Sequence, residues 1–99
     1  MSVVRYFYRR ENSGGVSRVF TVAYTYDRAT SQATYGASVF RQDQPSESFV
    51  KAHHRHTADQ RRLKCPVNLQ IPDGSWAQIE DSIRDSIRSY GVKGNRQTV

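Results

Sequence analysis

The chain opens with three segments in which β-branched and aromatic residues alternate with polar ones. Residues 3–10 and 16–26 have this character, and residues 12–15, with two glycines, suit the tight turn between them. After a polar connection, residues 33–41 form a third such segment, in which Gly36 indicates a bulge or a close contact. The pattern predicts a three-stranded antiparallel β-meander that begins with a hairpin.

The alternation also assigns side chains to the two faces of this sheet. One face collects most of the apolar positions and is predicted to lie under a helix; its members are Val4, Tyr6, Tyr8, Phe20, Val22, Tyr24, Tyr35, Ala37 and Val39. The opposite face holds Arg5, Phe7, Arg9, Thr21, Thr25, Thr34, Ser38 and Phe40. An error of one residue in the register would exchange the two sets, because successive side chains point to opposite faces.

The middle of the chain, residues 49–63, is predicted to be a helix with a poor apolar stripe. The stripe consists of Phe49, Ala52, His53, His56 and Leu63. Thr57 and Gln60 also have the spacing of a capping box, which marks the start of a helix. A loop through the histidines, followed by a short helix over residues 58–64, is therefore an open alternative.

The segment after this helix is predicted to be extended. Pro66 disfavours a helical conformation in Cys65, the residue before it, so the helix is expected to end there. Residues 67–71 then alternate apolar and polar side chains over a short distance. They are predicted to form a short edge strand or an extended link.

The last helix, over residues 76–90, has the clearest signals in the chain. Ser75 and Gln78 form a capping box at its start, and Gly91 suits the left-handed position after its end. Its apolar stripe consists of Trp76, Ile79, Ile83, Ile87 and Tyr90. Burial of large apolar side chains stabilises a helix far more than surface charge pairs do, so this helix is predicted to pack on the sheet.

The order of elements predicts an α+β fold. It consists of a three-stranded antiparallel β-meander, with the option of a short fourth strand, packed against two helices as a two-layer sandwich. A chain of 99 residues has the length of one domain, which is assigned to residues 1–92. Residues 93–99 lack any periodicity and are predicted to be a flexible C-terminal tail.

The cysteine content and the distribution of apolar residues limit the protein's surroundings. Cys65 is the only cysteine, so an internal disulfide, the usual signature of a small secreted domain, is excluded. No apolar run approaches the roughly 20 residues that span a bilayer, and the N-terminal segment carries arginines rather than the core of a signal peptide. An intracellular location, cytoplasmic or nuclear, is predicted, without secretion and without a membrane partner.

The charge of the chain is positive and is mostly carried by arginine. The chain has fifteen lysine and arginine residues but only nine acidic residues, which gives a formal charge of +6. Twelve of the fifteen basic residues are arginines. Residues 1–72 carry the whole surplus, whereas residues 73–99 are neutral in sum. Arginine binds phosphate and carboxylate groups with two parallel hydrogen bonds and stacks on flat rings, so a polyanionic partner is expected.

This surplus predicts a nucleic-acid-binding surface on the sheet and the middle segment. The residues assigned to phosphate contacts are Arg5, Arg9, Arg10, Lys51, Arg55, Arg61, Arg62 and Lys64. Phe7 and other aromatic residues of an open sheet face could stack on unpaired bases. The partner is DNA or RNA, and the predicted role is that of a small basic binding protein without catalytic activity.

A protein–protein interaction factor is the alternative hypothesis. A virus- or phage-type inhibitor, or a virion or assembly component, could use the same basic face on an acidic protein. An exposed strand edge at residues 3–10 would also allow pairing with another copy, which makes a homodimer an option.

The middle segment contains residue types that could carry chemistry, but each of them also has a simpler role. His53, His54, His56 and Cys65 are zinc-ligand types, but their spacing does not match a structural site, and no cofactor or metal is predicted. A metal-independent nuclease would need a histidine base, Lys51 or a second histidine as acid, and an arginine at the phosphate, and nothing in the pattern brings them together. Cys65 before a proline is more typical of a small packed side chain than of a nucleophile. No catalytic residue is therefore assigned.

Overall fold

The computed structural model describes residues 3–13, 16–42, 50–72 and 74–90. The elements are β1 (Arg5–Ser13), β2 (Val16–Asp27), β3 (Gln32–Gln42), α1 (Lys51–Lys64), β4 (Val67–Gln70) and α2 (Trp76–Tyr90). The four strands form one antiparallel sheet in the order β1-β2-β3-β4. The predicted α+β fold is confirmed, and residues 67–70 supply its fourth strand.

The register of β1 differs from the prediction by one residue. Phe7 lies opposite Val22, whereas Tyr8 lies opposite Thr21. The predicted apolar face is therefore confirmed for β2 and β3, but its two members on β1, Tyr6 and Tyr8, belong to the other face, and Val4 precedes the strand. Both sides of β1 carry aromatic residues, so alternation within this strand cannot show which side meets the core.

Helix α2 covers the face that carries Phe7, Val22 and Tyr35, which is called the α2 face below. The buried core on this side consists of Phe7, Val22, Tyr24, Tyr26, Ala33, Tyr35, Ala37, Ile71, Ile79, Ile83 and Ile87. The predicted capping box is confirmed: the Ser75 amide donates to Gln78 Oε1 at 2.8 Å, and the Gln78 amide donates to Ser75 Oγ at 3.2 Å. Burial of the isoleucine stripe holds the helix on the sheet, as predicted.

Helix α1 covers the opposite face, called the α1 face. The two helices therefore pack on opposite sides of the sheet. The helix is continuous from Lys51 to Lys64, and the alternative of a loop followed by a short helix is wrong. Thr57 donates to the His53 carbonyl inside the helix instead of capping a new one. A Cβ atom at Gly36 would collide with the backbone of α1, which confirms the predicted close contact.

Two further predictions concern membrane-spanning segments and the C-terminal end of the chain. No helix among the described residues combines the length and the apolar composition needed to span a bilayer. The predicted C-terminal tail, residues 93–99, and the predicted helix end at Gly91 lie outside the described residues.

Candidate nucleic-acid interface

The α1 face carries cations that lie against tyrosine rings near the edge of the sheet. Lys51 Nζ lies 5.0 Å from the centre of the Tyr8 ring, and the guanidinium carbon of Arg55 lies 5.9 Å from that of Tyr6. Arg10 lies two residues beyond Tyr8 on the same side of β1, and the register shows that all three strand residues share this face. These five residues are called the tyrosine–cation strip.

Local geometry explains why the strip forms a line. Alternate residues of a strand are about 6.6 Å apart, and residues four apart on a helix are about 6 Å apart along its axis. One turn of helix α1 therefore covers about the same distance as two residues of β1. This is why Lys51 reaches Tyr8 and Arg55, one turn further along the helix, reaches Tyr6. Lys51 and Arg55 therefore follow one another at about the spacing of the two tyrosines.

The three cations of the strip have no carboxylate partner among the described residues. Arg10 donates from Nη1 to Ser17 Oγ at 2.8 Å, which orients its side chain without neutralising it. Tyr6 keeps 37% of its surface exposed although it is a large aromatic residue. The strip thus combines positive charge with accessible aromatic surface.

Arg61 and Arg62 lie on the same helix but are used in packing. Arg61 Nη1 donates to the Ala37 carbonyl at 2.9 Å, which ties α1 to the sheet. Arg62 forms an ion pair with Asp59 at 2.8 Å, and its side chain is only 15% exposed. Lys64 is exposed in the last turn of the helix, away from the strip. Their predicted phosphate contacts stay predictions, but Arg61 and Arg62 already have partners within the fold.

Arg5 and Arg9 lie on the α2 face, so the structure does not bring all the predicted site residues together. The Arg5 guanidinium lies 4.0 Å from the Trp76 ring centre, and its Nε donates to the Tyr24 hydroxyl at 3.3 Å. Arg9 forms an ion pair with Glu11 at 3.1 Å. Phe7, predicted to lie on an open face, is 7% exposed and belongs to the core. Arg5 and Arg9 therefore do not share one surface with the cations of the middle segment, and the reason is the register of β1.

In the structure, His54 is partly buried, whereas the other two histidines of the segment lie on the surface. His54 Nδ1 lies 2.9 Å from Ser38 Oγ, and its ring packs edge-on against Phe40. Burial lowers the pKa of His54, and the nearby His53 and Arg61 lower it further. His53 and His56 are exposed. No three potential metal-ligating side chains come together within the described ranges.

A second arginine-rich site lies on the α2 face and was missed by the sequence analysis. This arginine-rimmed cavity has a volume of about 210 Å³. Its floor consists of Phe7, Phe20, Val22, Val39 and Ile87, and its rim of Arg9, Glu11, Arg18, Arg84 and Arg88. The charges of residues 73–99 sum to zero, so the sequence does not single out the α2 arginines, and only the correct β1 register joins them to Arg9 and Arg18.

Comparison with protein-family models, with curated proteins and with solved structures finds no match for this chain. Its function is therefore argued from the geometry of its own residues.

Proposed function

We propose that the protein is a small, non-enzymatic nucleic-acid-binding protein that contacts backbone phosphates through the tyrosine–cation strip. The observation that supports this proposal is the grouping of Arg10, Lys51 and Arg55 from two elements on one side of the sheet, without carboxylate partners in the described part of the chain. Cations gathered in this way release counterions from a polyanion, which provides affinity that does not depend on sequence.

The tyrosines favour a single strand over a duplex. An unpaired base offers a ring face on which an aromatic side chain can stack, and such stacking is worth about 1–3 kcal/mol per base. Tyr6 has the exposed ring surface for this contact, beside Arg55. Both DNA and RNA satisfy this chemistry. The proposal includes an intracellular location, cytoplasmic or nuclear, where such strands occur.

The test is a salt titration of binding to a labelled single-stranded oligothymidine, followed by fluorescence anisotropy. The double variant Lys51→Gln/Arg55→Gln should bind more weakly and lose about 1.4 from the slope of log K against log salt, because each phosphate contact to a single strand contributes about 0.7. The matched control is Arg18→Gln/Arg88→Gln, which removes the same charge from exposed positions near the other helix. Equal losses in both variants, or no loss in the first, would overturn the proposal.

An acidic protein partner is the second candidate, and the arginine-rimmed cavity is the observation that favours it. Four arginines and Glu11 surround an apolar floor, and Arg18 has no carboxylate partner among the described residues, whereas Arg9, Arg84 and Arg88 form ion pairs within the chain. The cavity therefore complements an apolar side chain flanked by a carboxylate. This role would use a different surface from the tyrosine–cation strip. A peptide that alternates phenylalanine and glutamate should bind more tightly than one that alternates serine and glutamate, and Arg18→Gln/Arg88→Gln should remove the difference. Equal binding of both peptides would exclude this candidate.

A further inference from the structure

The sheet ends on a long strand whose outer edge is open. β1 has nine residues, and among the described residues no strand pairs with its outer side. Its register with β2 runs without interruption from Arg5 to Ser13, so no bulge twists the edge away, and it contains no proline. Proteins usually blunt such edges, because the free backbone donors and acceptors can pair with another strand.

Helix α1 leaves this edge accessible. The helix lies over β2 and β3, where Gly36 allows its close approach, and the side chains of Lys51 and Arg55 reach over to β1. A second strand could therefore pair with β1 in the plane of the sheet without displacing the helix.

The sequence of β1 is complementary to itself in one symmetric register. A two-fold axis perpendicular to the sheet leaves the α1 faces of both copies on the same side. Residues directly opposite each other must then point to the same face, so their numbers are both odd or both even and have an even sum. With Tyr8 on the axis, Arg5 lies opposite Glu11 and Phe7 lies opposite Arg9. A shift of the axis to Phe7 would place Arg5 opposite Arg9, and a shift to Arg9 would place that residue opposite its own copy. Like charges directly opposite each other destabilise a strand pair, whereas opposite charges stabilise it.

We propose that the chain forms a symmetric dimer by antiparallel pairing of β1 with β1 of a second copy, with Tyr8 on the two-fold axis. The pairing joins two four-stranded sheets into one sheet of eight strands and forms two Arg5–Glu11 pairs across the interface. Tyr6 and Arg10 lie opposite each other on the α1 face, where an arginine can pack on the tyrosine ring.

In the dimer, the two tyrosine–cation strips would lie side by side between the two α1 helices and would form one trough. The two α1 helices would lie on the same side, each about two strand spacings from the axis, so their axes would be about 19 Å apart. Subtracting the helix diameter leaves about 8 Å, which admits a single strand but not a duplex, because the major groove alone of a duplex is roughly 12 Å wide. This use of the trough rests on the proposed function, whereas the dimer itself does not.

Disulfide trapping tests the register without any nucleic acid. In a Cys65→Ser background, Tyr8→Cys places two thiols across the axis and should give a covalent dimer on mild oxidation. Tyr6→Cys is the matched control, on the same strand and face, and its two thiols would be four residues apart along the pair, about 13 Å, which is too far to bridge. A dimer with Tyr8→Cys alone supports the proposal. No cross-link, equal cross-linking of both variants, or cross-linking of the control alone overturns it.

A charge reversal tests the same interface in the otherwise natural chain. Glu11→Arg replaces both cross-strand pairs by repulsion and should raise the dissociation constant of the dimer about tenfold, measured by light scattering across a dilution series. Asp81→Arg makes the same change of charge at an exposed position on α2 and should leave the dimer intact. A monomeric mass for the unaltered chain at all concentrations, or equal weakening by both variants, contradicts the dimer. Circular dichroism establishes that each variant is folded.

Discussion

At the residue scale, His54 is the histidine that the fold partly buries. Its ring lies between the sheet, through Ser38 and Phe40, and the neighbouring His53. Burial penalises the charged form of an imidazole, and nearby positive charge penalises it further, so the pKa of His54 lies below its ordinary value. The side chain is therefore a neutral packing contact at pH 7 rather than part of the positive surface.

His54 should make the fold sensitive to acid. Because the pKa of His54 is lower in the folded chain than in the unfolded one, the unfolded chain binds the proton first as the pH falls below about 6.5. The stabilising contribution is complete above that pH and is lost progressively until the folded-state pKa is passed. Urea unfolding between pH 7.5 and pH 5 should show this loss.

Two variants separate His54 from the other titrating groups. His54→Gln should reduce the loss of unfolding free energy in acid, whereas His56→Gln, at an exposed position on the same helix, should leave it unchanged. An acid loss that is the same in His54→Gln as in the unaltered chain would show that other groups cause it.

At the scale of the elements, the two helices are held by different means. Helix α2 has an isoleucine stripe, whereas α1 buries only Ala58 among its residues. Helix α1 compensates by approaching the sheet closely at Gly36 and by bonding to it through Arg61 and His54. Close backbone contact replaces the large apolar side chains that usually anchor a helix.

Gly36→Ala should therefore destabilise the protein strongly. The new Cβ atom would meet backbone atoms of α1, which cannot turn aside as a side chain can. Overpacking of this kind costs about 1–3 kcal/mol, and a contact with rigid backbone is expected at the upper end of that range. Thr34→Ala, on the same face of β3 but half-exposed, should cost less than about 1 kcal/mol, the usual worth of its hydrogen bond to Asn68. Urea denaturation measures both, and equal midpoints would contradict the close contact.

At the scale of the whole molecule, both helices depend on the same central strands. β2 and β3 present Val22 and Tyr35 to α2 and Thr21 and Ser38 to α1. The packing on one face of the sheet is therefore coupled to the packing on the other face through the backbone of these two strands.

Loss of the α1 contacts should unfold the α2 side in the same transition. Trp76, the only tryptophan, lies on the α2 side beside Tyr24 and Tyr26 and reports on that packing. In Gly36→Ala, the tryptophan fluorescence and the circular dichroism at the helix band should change at the same urea concentration, as in a two-state transition. A fluorescence transition that stays at its original midpoint while the helix signal shifts would show that the two faces unfold separately.

Much of the fold was predictable because its signals are local. Ser75 and Gln78 bond to each other within three residues, and the spacing of Ile79, Ile83 and Ile87 alone defines the buried side of α2. The candidate site was less predictable. The charge of Lys51 and Arg55 marks them in the sequence, but the pattern predicts Tyr6 and Tyr8 on the apolar face, because β1 is aromatic on both sides.

The chain by itself determined the three-stranded meander followed by two helices, the start of α2 and the positive charge of its first 72 residues, and it offered a bulge or a close contact at Gly36. These depend on neighbours in the sequence or on composition. Only the tertiary structure decided which side of β1 meets the core, that the two helices take opposite faces, and which arginines keep their charge available. Strand register depends on pairing between distant segments, and a shift of one residue moves every side chain to the other face. The register of β1 places Arg5 and Arg9 on the α2 face and Arg10 on the α1 face. It also places Tyr6 and Tyr8 beside Lys51 and Arg55.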